Sequence, residues 1–390
     1  MKKVLMILVL AASSVHGQGM NAATPAEQKI NWAQATLKKD SGNLRAHNAL
    51  AMALAQRARE TAAPSFYAQA ELALAKSLAI SPENFEARKI RTWILLGKHD
   101  FNAALAEARA LNRLAPDDVM VYGLLVDAHL HLGNYEEAEK AAQWMLDIRP
   151  GNVPGLTRGA HLRELFGDIE GALELMQMAY DQTPQSESEE CAWILTQMAH
   201  LELLRGERDR AGKLAEEALQ RFPEYHYALK QLAEVRAAGK QWGQAVTLLQ
   251  QRYRLAPHPE NLFDVAEALH RAGRRKEAAA VFGEFEAKAR AEMLSVDNAN
   301  RELVFYYADY AKKPAEALQI ARLEFQRRQD VHTRDAYAWA LHANHETAEA
   351  RKQIHAALAV GTRDPRIQAH ARMITAANPG SSSARPAGLR

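Results

Sequence analysis

The chain has 390 residues, a formal charge of +2 and a single cysteine. One cysteine permits no intrachain disulfide framework, and a near-zero charge argues against a dedicated polyanion binder, which carries a strong basic excess. The length also exceeds the usual size of one globular core, so the 48% apolar content needs some other arrangement.

The N-terminal MKKVLMILVLAASSVHGQG reads in outline as a secretory leader. Lys2 and Lys3 precede an apolar Val4-to-Ala12 run and then small residues. The expected signal peptide is 1–17, cleaved after Gly17, and its apolar run is short for a bilayer span. Without Lys2 and Lys3 the basic and acidic residues are equal at 47. No cysteine follows the leader, which argues against a lipid anchor. Export without disulfides suits a bacterial periplasm, and no stable membrane insertion is expected after cleavage. Residues 18–42 read as an N-terminal helical cap.

From residue 43 a periodic pattern begins. In LHLGNYEEAEKAAQWMLDIRPGN, Leu130 and Leu132 close an apolar run from Val119 that reads as a helix. Gly133 supplies a left-handed stop. A second helix is expected over Tyr135–Ile148, with Ala138, Ala141, Ala142 and Met145 on one stripe, and Pro150 ends it. The spacing recurs. Pro82, Pro116, Pro150 and Pro184 stand 34 residues apart, as do Pro223 and Pro257. Twelve residues before them lie Ala70, Ala104, Ala138, Ala172, Ala211 and Ala245. Twelve earlier, most copies have another small residue: Thr92, Ala160, Ala199 and Ala233, with Val126 bulkier. A fixed period of this length marks a helical-hairpin array, whose repeats pack only on their neighbours.

The small residues, the turn glycines, the aromatics Phe101, Tyr135 and Trp242 and the prolines together resemble the tetratricopeptide repeat. The resemblance spans 43–290 as about seven repeats. It implies an all-α, right-handed superhelical α-solenoid of tandem helix-turn-helix hairpins. Two departures interrupt the period. Ala51 and Ala70 are nineteen apart, so ARETAAPSF lengthens a helix or inserts a loop, and five extra residues near QSESEE separate Pro184 from Pro223. Beyond, 291–377 read as two degenerate hairpins and a capping helix (RIQAHARMITAA). The Pro/Gly/Ser-rich 378–390 read as a disordered tail.

No Gly-rich phosphate loop, HExxH, Cys-x-x-Cys or nucleophile elbow is present, so no catalytic residue, cofactor or metal is assigned and the chain is read as a non-enzyme. Cys191, within CAWIL, reads as a small buried hydrophobe. His129 and His131 are two apart and leave a helix on different faces. His342 and His345 could share a face, but read as a solvated turn.

The resemblance further implies that the first helix of each hairpin lines a concave groove. Carried over copy by copy, it places there Lys89 and Trp93; Asp127 and His131; Thr157, His161 and Glu164; Trp193, Thr196 and His200; Tyr227, Lys230 and Glu234; and Phe263, Glu267 and His270. Aromatics among polar groups suit a protein-binding surface; packing of Trp93 and Trp193 between repeats is the alternative. The carboxylate clamp of chaperone-binding relatives is missing, since Trp93 follows Lys89 and Glu234 follows Lys230 where that pattern needs asparagine. The expected function is a non-catalytic scaffold of the bacterial envelope with a protein or peptide partner and no nucleic acid. The alternative is a metal- or small-molecule-binding protein using His131, His161, His200 and His270.

Overall fold

The computed structural model describes residues 23–376; the expected leader and tail lie outside them. Among the described residues every regular element is helical, and the helices alternate between two layers. The inner layer comprises α2 (Leu44–Thr61), α4 (Phe85–Gly97), α6 (Val119–Leu132), α8 (Val153–Leu165), α10 (Ser188–Leu204), α12 (His226–Ala238), α14 (Pro259–Arg271), α16 (Asn300–Phe305), α18 (Val331–Ala343) and α20 (Pro365–Ala376). The outer layer comprises α1 (Pro25–Lys39), α3 (Ser65–Ile80), α5 (Phe101–Leu114), α7 (Tyr135–Ile148), α9 (Ile169–Gln182), α11 (Arg208–Arg221), α13 (Trp242–Leu255), α15 (Arg275–Glu292), α17 (Pro314–Arg327) and α19 (Thr347–Leu358). Each helix packs on its neighbours in sequence, and several inner helices also touch the next inner helix. The result is a right-handed superhelical α-solenoid of tetratricopeptide type.

Local chemistry explains the element ends. Asn43, Asn84, Asp118 and Asn152 each accept a hydrogen bond from a backbone N–H three residues on, capping α2, α4, α6 and α8. The small residues are where the layers meet: Ala70, Ala104, Ala138, Ala172, Ala211 and Ala245 are all fully buried, because close helix crossings leave no room for longer side chains. Cys191 is buried as well and free.

Both departures from the period are absorbed as helix. The first lengthens α2 to Thr61, followed by a loop in which Ala62 is left-handed at φ 52°. The second extends the N-terminus of α10, which has 17 residues. The two extensions meet. Arg59 of α2 forms an ion pair with Glu189 of α10, which is wholly buried and also accepts a hydrogen bond from Tyr225 Oη at 2.5 Å. His226 Nε2 donates to the Arg59 carbonyl at 3.0 Å and His258 Nε2 to that of Ala62 at 2.5 Å.

These contacts begin a seam along which the superhelix closes on its own next turn. His258 reaches Ala62 across 196 residues, and Val331 N donates to Tyr135 Oη across the same 196. Between them, His99 Nδ1 lies 3.1 Å from Asp297 Oδ1. Gly133 and Gly167 sit on this seam. A Cβ on Gly133 would lie 2.5 Å from the Gln329 carbonyl oxygen, and one on Gly167 would lie 2.6 Å from that of Gly361. The turn glycines Gly206 and Gly273 share the positive φ but have nothing within 4 Å. Gly133 and Gly167 therefore serve both a helix stop and a close backbone approach.

The segment after Glu292 departs from regular geometry. α16 has only six residues before a π-helical turn over Tyr306–Tyr310. Tyr306 and Tyr310 pack there on Phe282, with Phe263 and Phe285 beside them. No helix among the described residues is long and apolar enough to cross a membrane.

Candidate functional site: a lumen inside the superhelix

Because the superhelix closes along the seam, the inner helices surround a lumen with three adjoining chambers. The first, of about 470 Å³, is bounded by α2, α4, α6, α8 and α10. The second, of about 300 Å³, shares His161 with the first. The third, of about 480 Å³, shares Lys230, Glu234, His332 and Asp364 with the second. A separate cavity of about 280 Å³ lies on the seam, between His99, His226 and His258.

Trp93 and Trp193 line the first chamber together with Met52, Met120 and Leu124. Both indoles are only half-buried and also pack on core clusters, so groove and inter-repeat packing are combined. The charges here are paired. Lys89 sits 2.8 Å from Asp118 and 2.9 Å from Glu86. Burial disfavours its ammonium, but these bonds outweigh that and hold its pKa above the ordinary lysine value. Asp127 takes Arg158 in a two-point contact of 2.8 and 2.5 Å, a geometry suited to guanidinium and carboxylate.

The second chamber is organised by Glu164. His200 Nε2 lies 3.0 Å from one of its oxygens and His161 Nδ1 3.5 Å from the other. Burial alone would raise the Glu164 pKa, yet the two imidazoles hold it far below the usual carboxylate range. Burial likewise opposes charging of His161 and His200, and Glu164 reverses it, raising both. Tyr227, Lys230 and Glu234 of α12 line the same chamber.

In the third chamber Glu267 accepts from Arg366 at 2.8 Å and from Tyr310 Oη at 3.1 Å. Asp264 holds Arg252 at 2.6 Å and Lys230 at 3.4 Å. Arg301 pairs with Glu302 at 2.8 Å.

Several expected groove residues are corrected by the geometry. Phe263 is 1% exposed and packed among Phe282 and Phe285, so it forms the wall of the third chamber from within the core. Thr157 and Thr196 border the lumen, but their hydroxyls donate to their own helix, to the Val153 and Ala192 carbonyls. His131 lines no chamber; its ring stacks on Phe101 at 4.2 Å by the seam. The surrounding protein pushes the His131 pKa below the usual histidine value, although the side chain remains exposed to solvent. His270 also lies outside the chambers, edge-on to Tyr310 at 5.0 Å. Only His161 and His200 of the four proposed histidines come together. Among the described residues no group of three or more His, Cys, Asp or Glu side chains is placed to hold a metal ion.

Other lumen residues escaped the sequence reading. Arg59 lies in an insertion, Arg158 one position from an assigned one, and Gln231 carried no charge or ring to draw notice. Arg301, His332, Asp364 and Arg366 come from the irregular C-terminal hairpins, where no repeat register could be carried over.

The fold and lumen define a tetratricopeptide-type α-solenoid whose superhelix closes on itself. No protein-family model matches the chain, and no curated protein matches it. Solved structures do. The chain is similar to human IFIT1 in its dimer with m7Gppp-AAAA, at a TM-score of 0.55 and 14% identity over 86% of each chain. It is also similar to a chain of the APC/C hetero-tetramer Cut9–Hcn1, at a TM-score of 0.50 and 12% identity. That match covers 88% of this chain but spans only 58% of the other. At such identities the likeness is one of fold.

Proposed function

We propose that the protein is a non-catalytic binding scaffold whose partner is a protein or peptide segment held in the lumen. The observation that carries this reading is the row of three adjacent chambers, which have His161 and then Lys230, Glu234, His332 and Asp364 in common in their walls. An elongated, partly apolar channel with exposed aromatic faces suits an extended chain. The ion pairing supports binding over acid–base chemistry, since Lys89, Asp127, Glu164 and Glu267 are each occupied by partners.

The IFIT1 structure holds m7Gppp-AAAA. Here the lumen cations Arg158, Lys230, Arg301 and Arg366 are each paired with a carboxylate, while Arg271 and Arg363 line the chambers without one among the described residues. The predominance of paired cations favours a polypeptide over a polyanion. The leader-like 1–17 supports an exported, periplasmic location, checked by N-terminal sequencing of protein from the native periplasm. The binding reading is tested by capture from the envelope fraction, with mature wild type and a Trp193→Ala, His200→Ala, Tyr227→Ala triple variant as baits. A partner retained only by wild type, with the variant still folded, supports the lumen. Equal capture by both baits moves binding to the outer face.

A further inference from the structure

Many polar groups that face the lumen already have protein partners; a row of three on one helix face does not. On α12, Tyr227, Gln231 and Glu234 follow one another at helical spacing, on the face that borders the second chamber. Among the described residues none of the three side chains has a hydrogen-bond or ion-pair partner. Gln231 is 6% exposed, and its Nε2 is buried without an acceptor. An amide N–H so placed has no acceptor, which is unfavourable until a ligand group fills the gap. Glu234 is the complementary case. Its neighbour Lys230 is turned to Asp264 at 3.4 Å, so the Glu234 carboxylate has no ion pair of its own; it faces His200, whose pKa it helps to raise, across the second chamber.

Resting on the lumen-binding reading above, we propose that Tyr227, Gln231 and Glu234 form a subsite for an extended peptide carrying a lysine or arginine. Seven residues of helix span about 10 Å, the length of about three residues of extended chain. A carboxamide offers both a donor and an acceptor, and so matches the N–H and C=O of one peptide unit. Glu234 then receives the cationic side chain, and the Tyr227 hydroxyl supplies a further polar contact. Space for the flanking residues lies in the adjoining chambers of about 480 and 470 Å³. A bare metal ion or small amine would use the carboxylate alone and leave Gln231 unpaired.

The test is selection from a phage-displayed random dodecapeptide library on the immobilised full chain. Fluorescence anisotropy of an enriched peptide and of its version with norleucine at the cationic position then follows. The expected result is enrichment of Lys or Arg at one position, with affinity falling about tenfold or more in Glu234→Gln and in Gln231→Ala. The norleucine peptide should lose the same factor on wild type and little on Glu234→Gln. Glu174→Gln, on the exposed face of α9, should bind as wild type. Peptides enriched without a cationic position, or bound equally by Glu234→Gln, overturn the subsite and leave the lumen reading in place. No peptide enriched by the folded protein, or retention of a random RNA pool in its stead, overturns both.

Discussion

Replacing Gly133 by alanine separates two roles that a turn glycine can have. Gly133 and Gly273 have the same φ, +78°, so alanine incurs the same left-handed penalty at each, about 1 kcal/mol. Only at Gly133 does the new methyl also meet another turn of the superhelix, 2.5 Å from the Gln329 carbonyl oxygen and 2.9 Å from its carbon. Both obstacles are backbone and cannot rotate away. The extra penalty is therefore the overpacking cost, about 1–3 kcal/mol, or the worth of the seam contacts if the seam opens to relieve it. Urea unfolding followed by circular dichroism should show Gly133→Ala destabilised beyond Gly273→Ala. Small-angle scattering should show a larger radius of gyration for Gly133→Ala and for Gly167→Ala, with Gly206→Ala and Gly273→Ala unchanged. Equal unfolding midpoints together with superimposable scattering for Gly133→Ala and Gly273→Ala would refute a closed superhelix.

Three other outcomes are expected. Ala172→Leu, at a wholly buried layer contact, should cost about 1–3 kcal/mol by overpacking, and an unchanged thermal midpoint would remove Ala172 from the helix crossing. Arg59→Ala strands the buried Glu189; the loss should be about 2–4 kcal/mol, below the fully buried range because Arg59 keeps some solvent contact, and a loss no larger than that of a surface arginine would count against the latch between α2 and α10. Because Glu164 raises the pKa of His161 and His200, their contribution is full below the unfolded histidine value near 6.5 and fades as pH climbs through the raised folded values. The depressed Glu164 contributes above its own unfolded value and is lost only in strong acid. Thermal midpoints measured from pH 5.5 to 8.5 should thus fall more steeply in wild type than in Glu164→Gln, and parallel slopes would show that the trio is not coupled.

The hairpins were legible in the chain because their causes are local. Gly133 stops α6 and Pro150 ends the hairpin whatever lies elsewhere, while Ala138 and Ala172 mark crossings between adjacent helices, so a period of 34 residues carries the architecture. Where the register is regular, the residues read as inward-facing line the chambers, as at Lys89, Trp93, Asp127, His161 and Glu234. The chambers leave out His131, where a second superhelical turn intervenes, and His270, which lies edge-on to Tyr310. Closure itself depends on groups 196 residues apart. That distance results from the small rotation added by each repeat, a sum over packing angles that no local spacing encodes. The two insertions look unrelated along the chain, and only the superhelix brings Arg59 to Glu189. Sequence determined that this protein is a stack of helical hairpins; tertiary structure decided that the stack closes, because only the accumulated twist brings its edges together around a lumen.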